Sequence, residues 1–262
     1  MMNRLLLIAL LSLAAAASAD AQINRSDYET VLLPVNVRDL VGANGSRWET
    51  TLRVYHDAER DLSVIGYDIS DGGIGISSQH TYLPQLAYYT APGEPSGALL
   101  YILKRNPDNT HYDLRVRDRS RDDQSAGTSI PVVRETQLIT RPAQLLGIPS
   151  DRRFRRLLRI YSPLATTATS FQLSIADDFE GTVFFNGRVV LSPPGRVIVL
   201  PGSSFTLRPA SRDIDLDALA PQLVAYPNVT VTVQPDDASE RFWAFISITN
   251  NTTNEITLVT PN

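Results

Sequence analysis

The chain has 262 residues, a formal net charge of −4 at pH 7 and no cysteine. Without cysteine the chain has no disulfide cross-link and no catalytic thiol, so buried apolar surface must stabilise the fold. The slightly acidic balance argues against nucleic acid as a partner, because nucleic-acid-binding domains carry basic patches or stripes.

Residues 1–19 are predicted to be a signal peptide. Arg4 supplies the positive charge, an apolar run covers 5–17, and Ala17-Ser18-Ala19 matches a small-residue cleavage site, although a cut after Ala21 fits almost as well. The apolar run is shorter than the roughly 20 residues that a membrane-spanning helix needs. The sequence therefore predicts a chain secreted to the periplasm or the cell exterior, with no membrane span.

Alternation of apolar and polar residues dominates the rest of the chain and predicts an all-β fold. Residues 99–103 and 114–117 are interpreted as the two arms of one hairpin, and 213–219 is the only segment predicted to be helical. Turns are predicted at Asn186-Gly187 and Pro201-Gly202. Further strands are predicted at 48–55, 62–69, 182–185, 189–191, 197–200, 204–207, 229–233 and 242–249.

An internal repeat indicates a duplicated domain. Leu52-Arg53-Val54-Tyr55 returns as Leu158-Arg159-Ile160-Tyr161, and 92–93 and 135–140 return in the same order as 201–202 and 255–260. The sequence therefore predicts two tandem antiparallel β-sandwich domains of the immunoglobulin-like type. Their predicted boundaries are 27–140 and 152–262, joined by a linker at 141–151.

Trp48 has two interpretations, a core residue or the aromatic platform of a binding site. The repeat aligns Trp48 with Phe154, so both copies carry an aromatic ring at the entrance of the strand. Trp48 also shares a strand face with Leu52 and Val54, which must be the buried face. We therefore predict that Trp48 is a core residue.

Two segments resemble secreted bacterial proteins from acidobacterial-type genomes. They are GANGSRWETTLRVY near the start of the chain and WAFISITNNTTNEITLVTP at its end. In such proteins a Gly-Ala-Asn-Gly-Ser turn precedes a Trp, and a strand with Asn-x-Thr closes the chain. The resemblance implies an exported β-sandwich and transfers no catalytic residue.

No catalytic or metal-binding motif is complete. The loop at 73–78 lacks the closing glycine of a nucleophile elbow, and His56, His80 and His111 do not have a metal-ligand spacing. Asp213, Asp215 and Asp217 are spaced like calcium-loop ligands, but the required glycine and glutamate are missing. They are instead assigned to the first turn of a short helix capped by Asp213. We predict no enzyme activity, no cofactor and no metal. The alternative is a calcium site, because the aspartates in the predicted turns at 177–178 and 236–237 could bind calcium through their oxygens.

Two segments are candidates for binding. The basic run 152–159 could attract anions, but it is interpreted as a solvated linker and strand edge.

In the closing strand, Ala244, Ile246 and Ile248 share the predicted core face, so Trp243 and Phe245 lie on the outward face. Trp243 and Phe245 are the candidate ligand-binding residues, with burial by the other domain as the alternative.

The sequence therefore predicts an exported, non-catalytic β-sandwich protein for extracellular binding, adhesion or surface display. Its partner would be an extracellular protein or a glycan. Two alternatives stay open: a hydrolase or accessory subunit acting on extracellular polymer, whose paired carboxylates would meet only in the folded chain, and a structural envelope protein that associates with itself.

Overall fold

A computed structural model describes residues 23–42, 45–56, 62–67, 74–79, 86–88, 97–104, 110–121 and 126–261. The predicted signal peptide, His80, the repeat at 92–93 and residues 105–109, which connect the two arms of the predicted hairpin, lie outside these residues. In the described part of the chain, no helix is long and apolar enough to cross a membrane.

The N-terminal half forms two antiparallel sheets. Sheet 1 contains β1 (Tyr28–Leu33), β4 (Leu62–Tyr67), β5 (Ile74–Gln79), β7 (Ala98–Leu103) and β10 (Val133–Arg134), in the order β10-β1-β7-β4-β5. Sheet 2 contains β2 (Leu40–Val41), β3 (Arg47–His56), β6 (Leu86–Tyr88), β8 (Thr110–Asp118) and β9 (Thr128–Ile130). Its order is β2-β3-β8-β9, and β6 also pairs with β3.

The C-terminal half forms two four-stranded antiparallel sheets and a separate hairpin. Sheet 3 has the strands β11 (Ala143–Pro149), β13 (Ser170–Asp177), β14 (Val183–Val190) and β18 (Asn228–Pro235), in the order β11-β18-β13-β14. Sheet 4 has β12 (Phe154–Ser162), β17 (Ala210–Asp215), β19 (Trp243–Asn250) and β20 (Ile256–Val259), in the order β17-β12-β19-β20. The hairpin pairs β15 (Gly195–Leu200) with β16 (Ser203–Arg208).

Helical structure is sparse among the described residues. The single α-helix, α1 (Leu216–Leu219), is one turn long, and four 3₁₀ turns accompany the strands. These turns are Arg25–Asp27, Arg119–Arg121, Glu135–Gln137 and Pro221–Ala225. The prediction of an all-β protein is thus confirmed.

Two apolar clusters form the core. The first gathers side chains of sheets 1 and 2, and the second gathers side chains of sheets 3 and 4. Leu52 and Val54 are buried in the first cluster, as their strand face predicted, and Leu158 and Ile160 occupy the matching positions of the second.

The two halves repeat the same strand order. The order β1-β7-β4-β5 of sheet 1 matches β11-β18-β13-β14 of sheet 3, and β3-β8-β9 matches β12-β19-β20. Register agrees as well, because Leu52 pairs with Leu114 where Leu158 pairs with Ile246. Trp48 and Phe154 each pack against the core of their own half.

One predicted repeat is wrong. The segment 135–140 begins with a 3₁₀ turn, whereas 256–259 is strand β20, whose counterpart by pairing is β9. The sequence match between the two segments therefore does not reflect an equivalent place in the fold.

Three local predictions need correction. Strands β7 and β8 follow each other in the chain but belong to different sheets, so they are not arms of one hairpin. Asn186-Gly187 is not a turn, because both residues pair with β13 inside the continuous strand β14. The segment 141–151, predicted as a linker, contains β11, which pairs with β18. The hairpin turn at Pro201-Gly202 is confirmed.

The halves are joined by apolar contacts and not by a free linker. Every residue of β1 is buried, so sheet 1 is covered on both faces. On the face away from sheet 2, Phe205 of β16 makes edge-on contacts with Tyr28 and Tyr101. Burial there raises the pKa of Tyr101 to about 12. Tyr161 of sheet 4 also belongs to the first cluster, and its hydroxyl donates to the Pro34 carbonyl.

We expect Gly97→Ala to destabilise the junction. Gly97 has a φ of +79°, and an added Cβ would lie 2.9 Å from the Leu33 carbonyl oxygen and 3.0 Å from the Tyr161 ring. Strain and crowding together should lower the free energy of unfolding by about 2–4 kcal/mol in urea titrations.

Gly181→Ala is the matched control. Gly181 has a φ of +71° but no atom within 4 Å of the added Cβ, so only backbone strain of about 1 kcal/mol applies. Equal losses for the two variants would show that the contact with Tyr161 is not tight.

Candidate binding site at the junction of the two halves

The outer face of sheet 4 forms the floor of a cleft. Side chains alternate along β12, so Leu158 and Ile160 point into the second cluster while Arg155, Leu157 and Arg159 point outwards. Strands β19 and β20 extend this floor. The lining residues on these two strands are Ser247, Thr249, Ile256 and Leu258.

The opposite wall comes from the N-terminal half. Trp48 of β3, Val116 of β8 and Ile130 of β9 lie at the open end of the first cluster and face the floor. Val35, Val37 and Leu40 complete this wall. The cavity between wall and floor has a volume of about 290 Å³, close to the lower end of the range for small-molecule sites.

Hydrogen bonds at the start of β3 hold Trp48 in the wall. The Gly42 N–H donates to the Ser46 carbonyl at 2.8 Å, and the Trp48 indole N–H donates to the Ser46 hydroxyl at 3.0 Å. A Cβ on Gly42 would lie 2.5 Å from the indole nitrogen. Glycine is therefore required here because the indole packs directly against the backbone. Trp48 is half-buried, so it packs on the core and also faces the cleft.

The three arginines of β12 that line the cleft differ in their partners. Arg156 is buried and donates to Asp217 and to the Pro149 carbonyl, and burial lowers the pKa of its guanidinium. Arg159 pairs with Asp213 at 3.3 Å. The side chain of the exposed Arg155 makes no hydrogen bond or ion pair within the described part of the chain.

The structure corrects the interpretation of the basic run 152–159 as a linker and strand edge. Strand β12 is central in sheet 4, because β17 and β19 flank it. Alternation along the sequence already places Arg155 and Arg159 on one face of the strand and Arg156 on the other. Nothing within the run 152–159 indicates that the N-terminal half of the chain would face Arg155 and Arg159.

The prediction of an outward binding surface at Trp243 and Phe245 is corrected for Phe245. Phe245 is 0% exposed and stacks on Tyr161, with 6.3 Å between the ring centroids. Trp243 is half-buried, and its buried indole N–H has no hydrogen-bond partner in the described structure. Ala244, Ile246 and Ile248 lie in the second cluster, as predicted. The alternative of burial by the other half therefore holds for Phe245.

The aspartates at 213–217 have structural roles that differ in detail from the prediction. Strand β17 extends to Asp215, and Asp215 caps α1 by accepting from the Asp217 and Ala218 N–H groups. Asp213 is therefore not the cap. Across the residues described, no group of three or more His, Asp or Glu side chains is placed to hold a metal ion.

Comparison with known proteins adds no relative. No protein-family model, curated protein or solved structure matches this chain. The resemblance to secreted acidobacterial-type proteins therefore stays a prediction.

Phe245→Ala should destabilise the protein strongly, because it empties a buried site where both halves meet. We expect a loss of about 3–5 kcal/mol in the free energy of unfolding. Phe179→Ala is the control: Phe179 is 92% exposed, so its loss should stay within about 0.5 kcal/mol. A small loss at Phe245 in chemical denaturation would mean that this ring is accessible, as the sequence suggested.

Proposed function

We propose that the chain is an exported, non-catalytic binding protein built from two tandem immunoglobulin-like β-sandwich domains. The shared strand order and the matching Leu52–Leu114 and Leu158–Ile246 pairs support a duplication. Each copy would form its own sandwich, the outer face of sheet 4 would complete the first core, and the remaining space between the copies would provide the binding site.

The observation that carries this proposal is the cleft between Trp48 and the outer face of sheet 4. Its walls are mainly apolar, while Arg155 offers a guanidinium that no carboxylate of the described residues neutralises. A guanidinium next to an apolar surface favours a ligand with an apolar body and one anionic group. We infer that the ligand is a small amphipathic anion.

The two alternative functions have unequal support. Nothing among the described residues favours a hydrolase over a binding protein. Self-association has one observation in its favour: β14 is an edge strand, and its Val183 and Val190 are both more than half exposed. Both alternatives stay predictions.

Decanoate provides a direct test, because it joins a linear apolar chain to one carboxylate. Calorimetric titration of the folded protein should show saturable binding. Arg155→Ala should weaken it about tenfold, since a charge-assisted hydrogen bond is lost.

Arg152→Ala is the matched control for this titration. Arg152 belongs to the same basic run and is exposed, but it does not line the cleft. It should therefore leave decanoate affinity unchanged. Absence of decanoate binding, or equal losses in the two variants, would contradict the proposed function.

A further inference from the structure

A second, polar pocket lies on the other side of Trp48. It has a volume of about 560 Å³ and opens between the end of β8 and the turn that joins β19 to β20. Trp48, Val116 and Ile256 form its apolar side and are shared with the cleft. Its polar side consists of Asp118, Arg121, Thr128, Thr253, Asn254, Glu255 and Thr257.

Two buried oxygen atoms of this pocket lack a donor. Asp118 is 4% exposed and Asn254 is 7% exposed, yet Asp118 Oδ2 and Asn254 Oδ1 accept no hydrogen bond within the described structure. Buried acceptors are nearly always satisfied by protein or by ordered water. Two such atoms in one pocket need donors, which water or a ligand with its own donors can supply.

Both acceptors are held in fixed positions. Asp118 Oδ1 accepts from the Arg47 N–H at 2.9 Å and from the Ser120 N–H at 3.0 Å, which leaves Oδ2 free of both donors. Asn254 has a φ of +58°, a conformation that few side chains tolerate, and its N–H donates to the Asn250 carbonyl at 2.8 Å. The pocket is therefore pre-organised.

The charges favour a neutral donor over a cation. Arg121 Nε lies 3.9 Å from Asp118 Oδ2 and already balances its charge. Burial raises the pKa of Asp118, but hydrogen bonds from Ser120 and Arg47 outweigh it and hold the pKa below its usual value. The carboxylate is thus stable without a second cation. Asn254 is itself neutral, so a hydroxyl group is a suitable donor for both oxygens.

We propose that this pocket binds a neutral sugar ring, whose hydroxyls donate to Asp118 Oδ2 and Asn254 Oδ1 while its apolar face lies against Trp48, Val116 and Ile256. A sugar offers several hydroxyl donors together with C–H surface, which is the combination that the polar and apolar sides require. This inference does not depend on the amphipathic anion of the neighbouring cleft.

The test uses the full chain and three neutral disaccharides: cellobiose, maltose and N,N′-diacetylchitobiose. Choline is the cationic comparator. We expect calorimetric titration to show binding of at least one disaccharide, and Asn254→Gly to weaken that binding about tenfold because one acceptor is removed. Glycine accepts the positive φ, so the turn should be retained.

Thr252→Ala is the matched control, since Thr252 is exposed in the same turn but does not line the pocket; its sugar affinity should stay close to that of the unmodified protein. Decanoate binding should be unchanged in Asn254→Gly, so failure of the cleft and failure of this pocket are distinguishable. If Asn254→Gly does not fold by circular dichroism, Asp118→Asn replaces it, with the same expected loss.

Three outcomes would overturn the inference. One is that none of the three disaccharides binds, so that water alone fills the pocket. Another is that choline binds and the sugars do not. The third is that sugar binding survives Asn254→Gly, or Asp118→Asn where that variant is used, unchanged.

Discussion

The arrangement of the molecule depends on the burial of sheet 4 on both faces. Ala244, Ile246 and Ile248 belong to the second core, while Phe245 and Tyr161, on the opposite face, belong to the first. A sheet with one solvated face needs apolar residues at alternate positions only, but β19 is buried at five consecutive positions. The outer face of sheet 4 therefore acts as a wall of the first core, and the two halves depend on each other for burial.

The composition of this outer face changes along its length. Tyr161 and Phe245 occupy one end, where contact with the N-terminal half is closed, and Arg155 and Thr249 occupy the other, where the cleft lies. Aromatic rings carry no charge, so they can be buried without a charged partner. An unpaired guanidinium must remain near solvent or near an anion. The same packing that joins the halves thus determines where a cleft can remain.

Much of the fold could be predicted from the sequence because alternation specifies strands and their faces. The in-phase positions of Leu52, Val54 and Ile246 correctly predicted the buried side of β3 and β19. Alternation does not specify which sheet a strand joins, so β7 and β8 were wrongly predicted to pair. Asn-Gly is a common turn sequence, so Asn186-Gly187 was wrongly predicted to be a turn. In the fold both residues lie inside β14, because β13 supplies their hydrogen-bond partners.

The candidate sites could not be predicted because both are formed by residues distant in the chain. Periodicity placed Phe245 outwards from its own core, which is correct, but it does not specify that another half covers it. Asp118 and Asn254 carry no motif, and their significance arises from buried oxygens that only the folded chain brings into one pocket. Trp48 was predicted as core and is half-buried beside both sites.

The central claim is that sheet 4 contributes to both apolar clusters, so that the two halves unfold together. Differential scanning calorimetry of the purified protein tests this most directly. Because Tyr161 and Phe245 connect sheet 4 to the first cluster, the account predicts a single transition whose calorimetric and van't Hoff enthalpies agree. Two separate transitions, each accounting for about half of the total enthalpy, would show independent domains and would contradict the account.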